Sequence, residues 1–262
     1  MNRRKFVATA GATSVAAVFP QTSDANKETQ SASFFELRKY ISRVGSHRGR
    51  LASFLKDVAI PAWNRAGISN VGAFNVVHGP TDPTTYVLLT HDSLMSMNSL
   101  RGKLVDDAAY QADGKAFLSA TLDDPGYTRV ESSLFKGFDA MPNLAVPAGA
   151  ADNAQRIFEL RIYESHSEEA AIRKIHMFNN GEIPIFLDTG LTPVFFGEAM
   201  VGERLPNLTY MLTFKDLAAR SEAWGKFVVH PDWEKMKADT YYKDTVSNIT
   251  SIILRPLPFS QV

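Results

Sequence analysis

Three sets of residues have types and spacings that could do chemistry. The first is Glu159, Arg161 and Tyr163, a row that recurs 123 positions earlier as Glu36, Arg38 and Tyr40. In a strand, residues two apart point to the same side, so each trio shares one sheet face. The two rows could then approach each other across a pseudo-twofold axis. Buried there, arginine's fixed fork of donors can bind a carboxylate or stabilise an enolate. The same atoms also make a buried ion pair that sets strand register, and their presence in both copies favours that structural reading.

The second set is His176, Asn179, Asn180 and Glu182. On a helix, positions 176, 179 and 180 lie to one side. Two amides beside an imidazole can hold a polar substrate, with His176 or Glu182 as general base. The first copy has Ser53, Lys56 and Asp57 at the matching places, so the set is not repeated. An ordinary solvated helix face is the competing reading. The third set is His230 and Trp233, three apart and next to Pro231, a residue favoured at helix starts. An imidazole beside an indole can floor a pocket for a flat ligand, although a tryptophan at such spacing more often packs in a core. His78 and His91 stand alone and read as surface or capping residues.

The elements that must position these sets are written twice. Phe35-Glu36-Leu37-Arg38-Lys39-Tyr40 returns as Phe158-Glu159-Leu160-Arg161-Ile162-Tyr163. The same shift aligns Ile60-Pro61, Gly67 and Val71 with Ile183-Pro184, Gly190 and Val194, and later Gly102-Lys103 with Gly225-Lys226. Between these anchors a one-residue slip matches Tyr86 and Asp92 to Tyr210 and Asp216. Such a period is too long for a solenoid repeat.

Each copy opens with an alternating strand, then a helical stretch (48–65 or 168–188) that its Ile-Pro pair should kink or divide. Gly67 or Gly190 closes that stretch where a left-handed residue is favoured. Strands follow at 71–77 and 84–90, or 192–201 and 208–214, joined by turn-rich links. A second helix (93–117 or 216–237) and a last strand (128–135 or 246–254) complete the unit. The order β-α-β-β-α-β is the ferredoxin-like arrangement, with both helices on one face of a four-stranded antiparallel sheet. The bare face of each sheet must be buried. The expected fold is therefore α+β, two tandem ferredoxin-like modules packed sheet to sheet as an intrachain dimeric α+β barrel. Residues 33–140 form the first module, 141–156 an Ala-, Pro- and Gly-rich linker, and 157–262 the second module.

Residues 1–25 read as an export signal: Arg3-Arg4-Lys5-Phe6, a mildly apolar stretch, then the small residues Ser23 and Ala25. Paired arginines before a weakly apolar segment resemble a twin-arginine signal, which implies a periplasmic or secreted bacterial protein. With those residues go three basic and one acidic side chain, leaving a formal charge of −2. That balance gives no reason to expect nucleic acid or an anionic membrane as partner, and no later stretch is long and apolar enough to span a bilayer. The chain has no cysteine, which excludes disulfides, thiol nucleophiles and thiolate metal sites. It lacks glycine-rich nucleotide loops and a nucleophile elbow. No histidines sit four apart on a helix, so no metal site is expected.

The repeated Phe-Glu-Leu-Arg-x-Tyr start, the Gly-containing second strand, Pro206-Asn207-Leu208-Thr209-Tyr210-Met211-Leu212 and His230-Pro231-Asp232-Trp233 resemble the NIPSNAP family. The resemblance is closer in the second copy. In the first, Asp107-Ala108-Ala109-Tyr110 stands where the His-Pro-Asp-Trp segment is expected. The resemblance implies the dimeric α+β barrel fold and no agreed activity. Related barrels include cofactor-free monooxygenases, isomerases and haem-handling enzymes, so fold does not select a reaction. A haem would need an axial ligand such as His176 or His166, and no spacing supports either; the cofactor is left unknown. Three readings stay open: binding of a small aromatic or carboxylated ligand, ranked first; a cofactor-independent oxygenase or isomerase in the second module; and a protein-interaction scaffold with no pocket. Further homo-oligomerisation is compatible with all three.

Overall fold

The computed structural model describes residues 33–79, 83–149 and 156–262. The expected leader at 1–25 and part of the expected linker lie outside the described residues. In the first half, β1 (Phe34–Ile41) leads to α1 (Ser46–Phe54), a π turn (Leu55–Ala59) and α2 (Ile60–Arg65). Then come β2 (Gly72–His78), β3 (Thr84–His91), α3 (Leu94–Asp106), α4 (Ala108–Leu118) and β4 (Arg129–Gly137). The second half repeats this order with β5 (Ile157–Glu164), α5 (Glu168–Met177), a π turn (Phe178–Glu182) and α6 (Ile183–Thr189). It continues with β6 (Thr192–Val201), β7 (Asn207–Phe214), α7 (Leu217–Val228), α8 (Pro231–Ala238) and β8 (Asn248–Pro256).

The eight strands close into one antiparallel barrel in the order β1-β3-β2-β8-β5-β7-β6-β4. Two flat sheets laid face to face would leave four open edges. Here β2 pairs with β8 and β4 with β6, and closure removes every edge. The sheets thus meet through backbone hydrogen bonds as well as through their inner faces. The barrel interior draws on both halves: Phe35 packs at a tilt against Phe195 at 5.0 Å and Phe74 against Phe158 at 4.7 Å, all four fully buried. Each helical layer covers its own half and makes a separate core with the outer face of its sheet.

Each Ile-Pro pair does divide its helix, and the break comes just before it as a π turn. Pro61 and Pro184 then sit in the first turn of the new helix, where a missing N–H costs nothing. The expected second helix is two helices in each half. Asp107 ends α3 and caps α4 by accepting from the Tyr110 amide, and His230 caps α8 the same way through Nδ1 to the Asp232 amide.

The expected one-residue slip does not occur. Arg38 lies opposite Val87 and Arg161 opposite Tyr210, so the shift of 123 holds and Tyr210 corresponds to Val87. Tyr86 corresponds to Thr209 and points into the barrel, whereas Tyr210 points at the helices. The helix caps agree, since Ser93 matches Asp216 in that role.

The end of the chain was not legible as structure. Residues after β8 fold back on the first half, where Leu257 donates its amide to Ala73 and Gln261 to Val71. Val262 is buried in the barrel interior. The described part of the expected linker is likewise held, with Ala145 donating to Val194 at 2.9 Å and Leu144 packed on the interior core.

Candidate functional site

One end of the barrel is plugged by the four phenylalanines, and the other end opens on a cavity of about 310 Å³, at the small end of ordinary ligand sites. Its floor and walls are Leu37, Phe135, Leu160 and Ile252, one or more from each half. Alternation places these inside, because residues 35, 37 and 39 face inward while 36, 38 and 40 face the helices. At the rim, Lys39 donates to Glu131 at 2.6 Å. Arg204 donates to the Thr250 hydroxyl at 3.0 Å and lies 3.7 Å from Glu164.

The rim is shaped by the β6–β7 turn. Gly202 has φ +153, and a Cβ there would come within 2.6 Å of the Ser133 hydroxyl, so only glycine lets the turn close on β4. Arg204 adopts φ 60, an uncommon left-handed setting for a residue with a side chain. Asn207 holds the turn from below through its amide to the Glu203 and Arg204 carbonyls. Between the charged groups stands Tyr86, only 6% exposed, whose hydroxyl makes no hydrogen bond among the described residues. Burial pushes this phenol up to about 12; Arg204 pulls it down, Glu131 and Glu203 push it further up.

The Glu-Arg-Tyr rows lie elsewhere. They face the helices, and β1 and β5 stand on opposite sides of the barrel, so the two rows do not meet. Glu159 is fully buried and accepts from Arg161 at 3.2 Å, Arg220 Nε at 2.9 Å, the Trp224 indole at 2.8 Å and Ser251 at 2.7 Å. Burial works to raise its pKa, yet Arg220, Arg161, Ser251 and Trp224 together hold it below the usual carboxylate value. Glu36 accepts from Arg38 at 2.6 Å and Ser132 at 3.0 Å, and pairs with His91 at 3.1 Å. Burial opposes its charge, but His91, Arg38 and Ser132 outweigh it and bring the carboxyl down to about 2. His91 is therefore not a surface or capping residue: it is fully buried on this carboxylate.

The set at 176–182 is split by the π turn. His176 is on the outside, bonded to the Tyr242 hydroxyl at 3.0 Å, and Asn180 donates to its carbonyl. Asn179 accepts from the Ala140 amide at 3.0 Å, holding the end of the first half. Glu182 points the other way, into the core, where it pairs with Lys174 at 2.7 Å. The Lys174 ammonium also lies 4.7 Å from the Phe178 ring and 5.5 Å from Trp233. Burial raises the Glu182 pKa against the pull of Lys174. Beside this pair, Tyr210 donates to Tyr163 at 2.8 Å. The space around them is filled by Phe178, Phe186 and Phe196. The structure thus parts His176 from Glu182, and it uses Nδ1 of His230 to cap α8. Trp233 packs on Phe227 at 4.6 Å. His166 is exposed. A shallow groove of about 420 Å³ between α6 and α8 is lined by Asn180, Gly181 and Tyr242. Tyr86, Lys39 and Arg204 were missed because no motif marks them; only strand phase and barrel closure bring them together.

A closed eight-stranded barrel with helices outside and a cavity at one end is an α+β barrel of the dimeric α+β barrel class, here made by one chain. Residues 158–261, in the second half of the chain, match the model of the NIPSNAP family. Among solved structures, the chain as a whole is similar to a provisionally assigned monooxygenase from Fusobacterium nucleatum, with 8% identity, 87% and 93% of the two chains covered and a TM-score of 0.56. A second provisionally assigned monooxygenase, from Lactobacillus acidophilus, gives 11% identity, 86% and 94% coverage and a TM-score of 0.55. A provisionally assigned chlorite dismutase gives 10%, 88% and 96%, and 0.50. At these identities the likeness establishes the fold alone. No protein of curated function matches in sequence. No helix among the described residues is long and apolar enough to cross a membrane.

Proposed function

We propose that this protein binds a small organic molecule at the mouth of its barrel. The observation that carries the reading is the cavity itself: apolar walls from both halves under a rim of converging polar groups, the usual make-up of a small-molecule site. A scaffold without a pocket would have a filled interior at both ends. A reaction beneath the helices of the second half is disfavoured by the aromatic rings that fill the space around Glu182 and Tyr210.

The two halves are read as tandem ferredoxin-like modules, a reading supported by their equal strand order, β4-β1-β3-β2 and β8-β5-β7-β6. The paired arginines at 3 and 4 support export through a twin-arginine route to the periplasm or beyond. Cell fractionation of the wild type and an Arg3→Lys/Arg4→Lys variant tests export; retention of the wild type inside the cell would sink it. For the binding reading, native and denaturing mass spectrometry of protein from the producing cells should reveal a bound small molecule. Ala199→Trp, which fills the cavity wall, should abolish that mass difference and any binding of added probes. Unchanged binding in this variant would move the site away from the barrel mouth.

A further inference from the structure

The strongest clue to what enters the barrel is a side chain with nothing to bond. The Tyr86 hydroxyl is not sealed in the core: it opens on the cavity, so its hydrogen bond has to come from whatever fills that cavity. Tyr86 is more than nine-tenths buried, lines the cavity, and has no hydrogen-bond partner among the described residues. Its counterpart in the second half, Thr209, donates to Asn207 at 3.1 Å and is engaged. The charged groups facing Tyr86 are Lys39 from β1, Glu131 from β4, and Glu203 and Arg204 from the β6–β7 turn. Lys39 is committed to Glu131, and Arg204 to Thr250 and Glu164. Glu203 is exposed at the rim with no ion pair among the described residues.

An entering carboxylate would have to break one of those pairs and lie near two glutamates. An ammonium group would find only the exposed Glu203 free, far less than a buried cation requires. A neutral oxygen meets neither obstacle. We propose that the occupant is an uncharged molecule with a compact apolar body, of one or two rings, and a carbonyl or hydroxyl oxygen that bonds the Tyr86 hydroxyl. The body lies on Leu37, Phe135, Leu160 and Ile252. This rests on the binding reading above and adds the ligand's class. Because burial keeps the phenol protonated to about 12, it donates throughout the physiological range.

The test titrates the whole chain by calorimetry with four probes of one skeleton: acetylnaphthalene, ethylnaphthalene, naphthoate and naphthylmethylammonium. Acetylnaphthalene is expected to bind at least tenfold tighter than either ion. Tyr86→Phe should weaken acetylnaphthalene about fivefold, the ordinary worth of one hydrogen bond, and leave ethylnaphthalene unchanged. A tighter fit of naphthoate or of the ammonium probe would overturn the ligand class while leaving the binding site standing. So would an acetylnaphthalene affinity indifferent to Tyr86→Phe. If none of the four binds while native mass spectrometry still finds a bound molecule that Ala199→Trp removes, the ligand class falls and the site stands; if neither is seen, both readings fall. The ranking on the unmodified protein decides the class even if the variant folds poorly.

Discussion

The two halves share a backbone plan and differ in what they bury beneath it. In the second, Lys174 and Glu182 form an ion pair in the core and Gly181 turns the chain at φ +155. At the same places the first half has Leu51, Ala59 and Val58, and its π turn keeps helical angles throughout. The same helix interruption thus serves a polar core in one half and an apolar core in the other. The Glu-Arg rows tell the complementary story. Glu36 and Glu159 each keep an arginine two residues on and a serine from the last strand of their own half. Only the third partner differs, His91 in one and Arg220 with Trp224 in the other. What is repeated is structural; what is not repeated is local repacking around it.

The largest test of this contrast breaks the buried pair. Glu182→Ala, the first half's own residue at that place, leaves the Lys174 ammonium alone in the core. It should cost about 3–5 kcal/mol in urea unfolding. Adding Lys174→Leu should restore more than half of that loss, since the core becomes like its counterpart. A single-variant cost under about 1 kcal/mol would mean the pair is hydrated rather than buried.

Next in size is the acid limb of stability. A carboxyl whose folded pKa is about 2, against an ordinary 4.5, stabilises the fold above pH 4.5 and loses that contribution as the pH falls towards 2. For Glu36 this amounts to about 3 kcal/mol at most. Glu36→Gln should therefore flatten the stability curve between pH 4.5 and 2 as well as lower it near neutrality. An identical slope in both proteins would mean that Glu36 is not what His91 and Arg38 stabilise.

A smaller effect is expected at the turn. Gly181→Ala imposes a side chain at a φ that L-residues rarely adopt and against the tip of Met236, costing about 1–3 kcal/mol. Val58→Gly in the first half should cost through helix entropy and lost packing instead, so its penalty should not depend on residue 236. Met236→Ala should relieve part of the Gly181→Ala loss and nothing of the Val58→Gly loss, which a double-mutant cycle reads directly. Smallest are the caps: Asp107→Ala should lower the melting temperature slightly, and His230→Ala by less, because histidine is the weaker cap.

Much of this was open to reading. The hexapeptide pair announced the first strand of each half, and alternation correctly set Glu, Arg and Tyr to one side. The Ile-Pro pairs marked where each helix divides. Matching Tyr86 to Tyr210 by residue type, however, moved a side chain from the inside of the barrel to the outside, because one residue of slip reverses every face. His176, Asn179 and Asn180 looked like one helical face with Glu182 as a further base beside it, yet Glu182 lies six residues on, well round the helix, and the π turn leaves it facing the core. The chain terminus, with no strand-like alternation, gave no sign that it would bind Val71 and Ala73 of the other half.

The amino-acid sequence by itself determined the duplication, the order of elements, the α+β class and the carboxylate–arginine row of each half, because these depend on local periodicity and on one unit repeated. Only the tertiary structure decided that the edges join as β2–β8 and β4–β6, and that Tyr86, Lys39 and Arg204 ring one cavity. Those depend on contacts between residues far apart in the chain. No local pattern encodes them, since the partners are chosen by closure of the barrel.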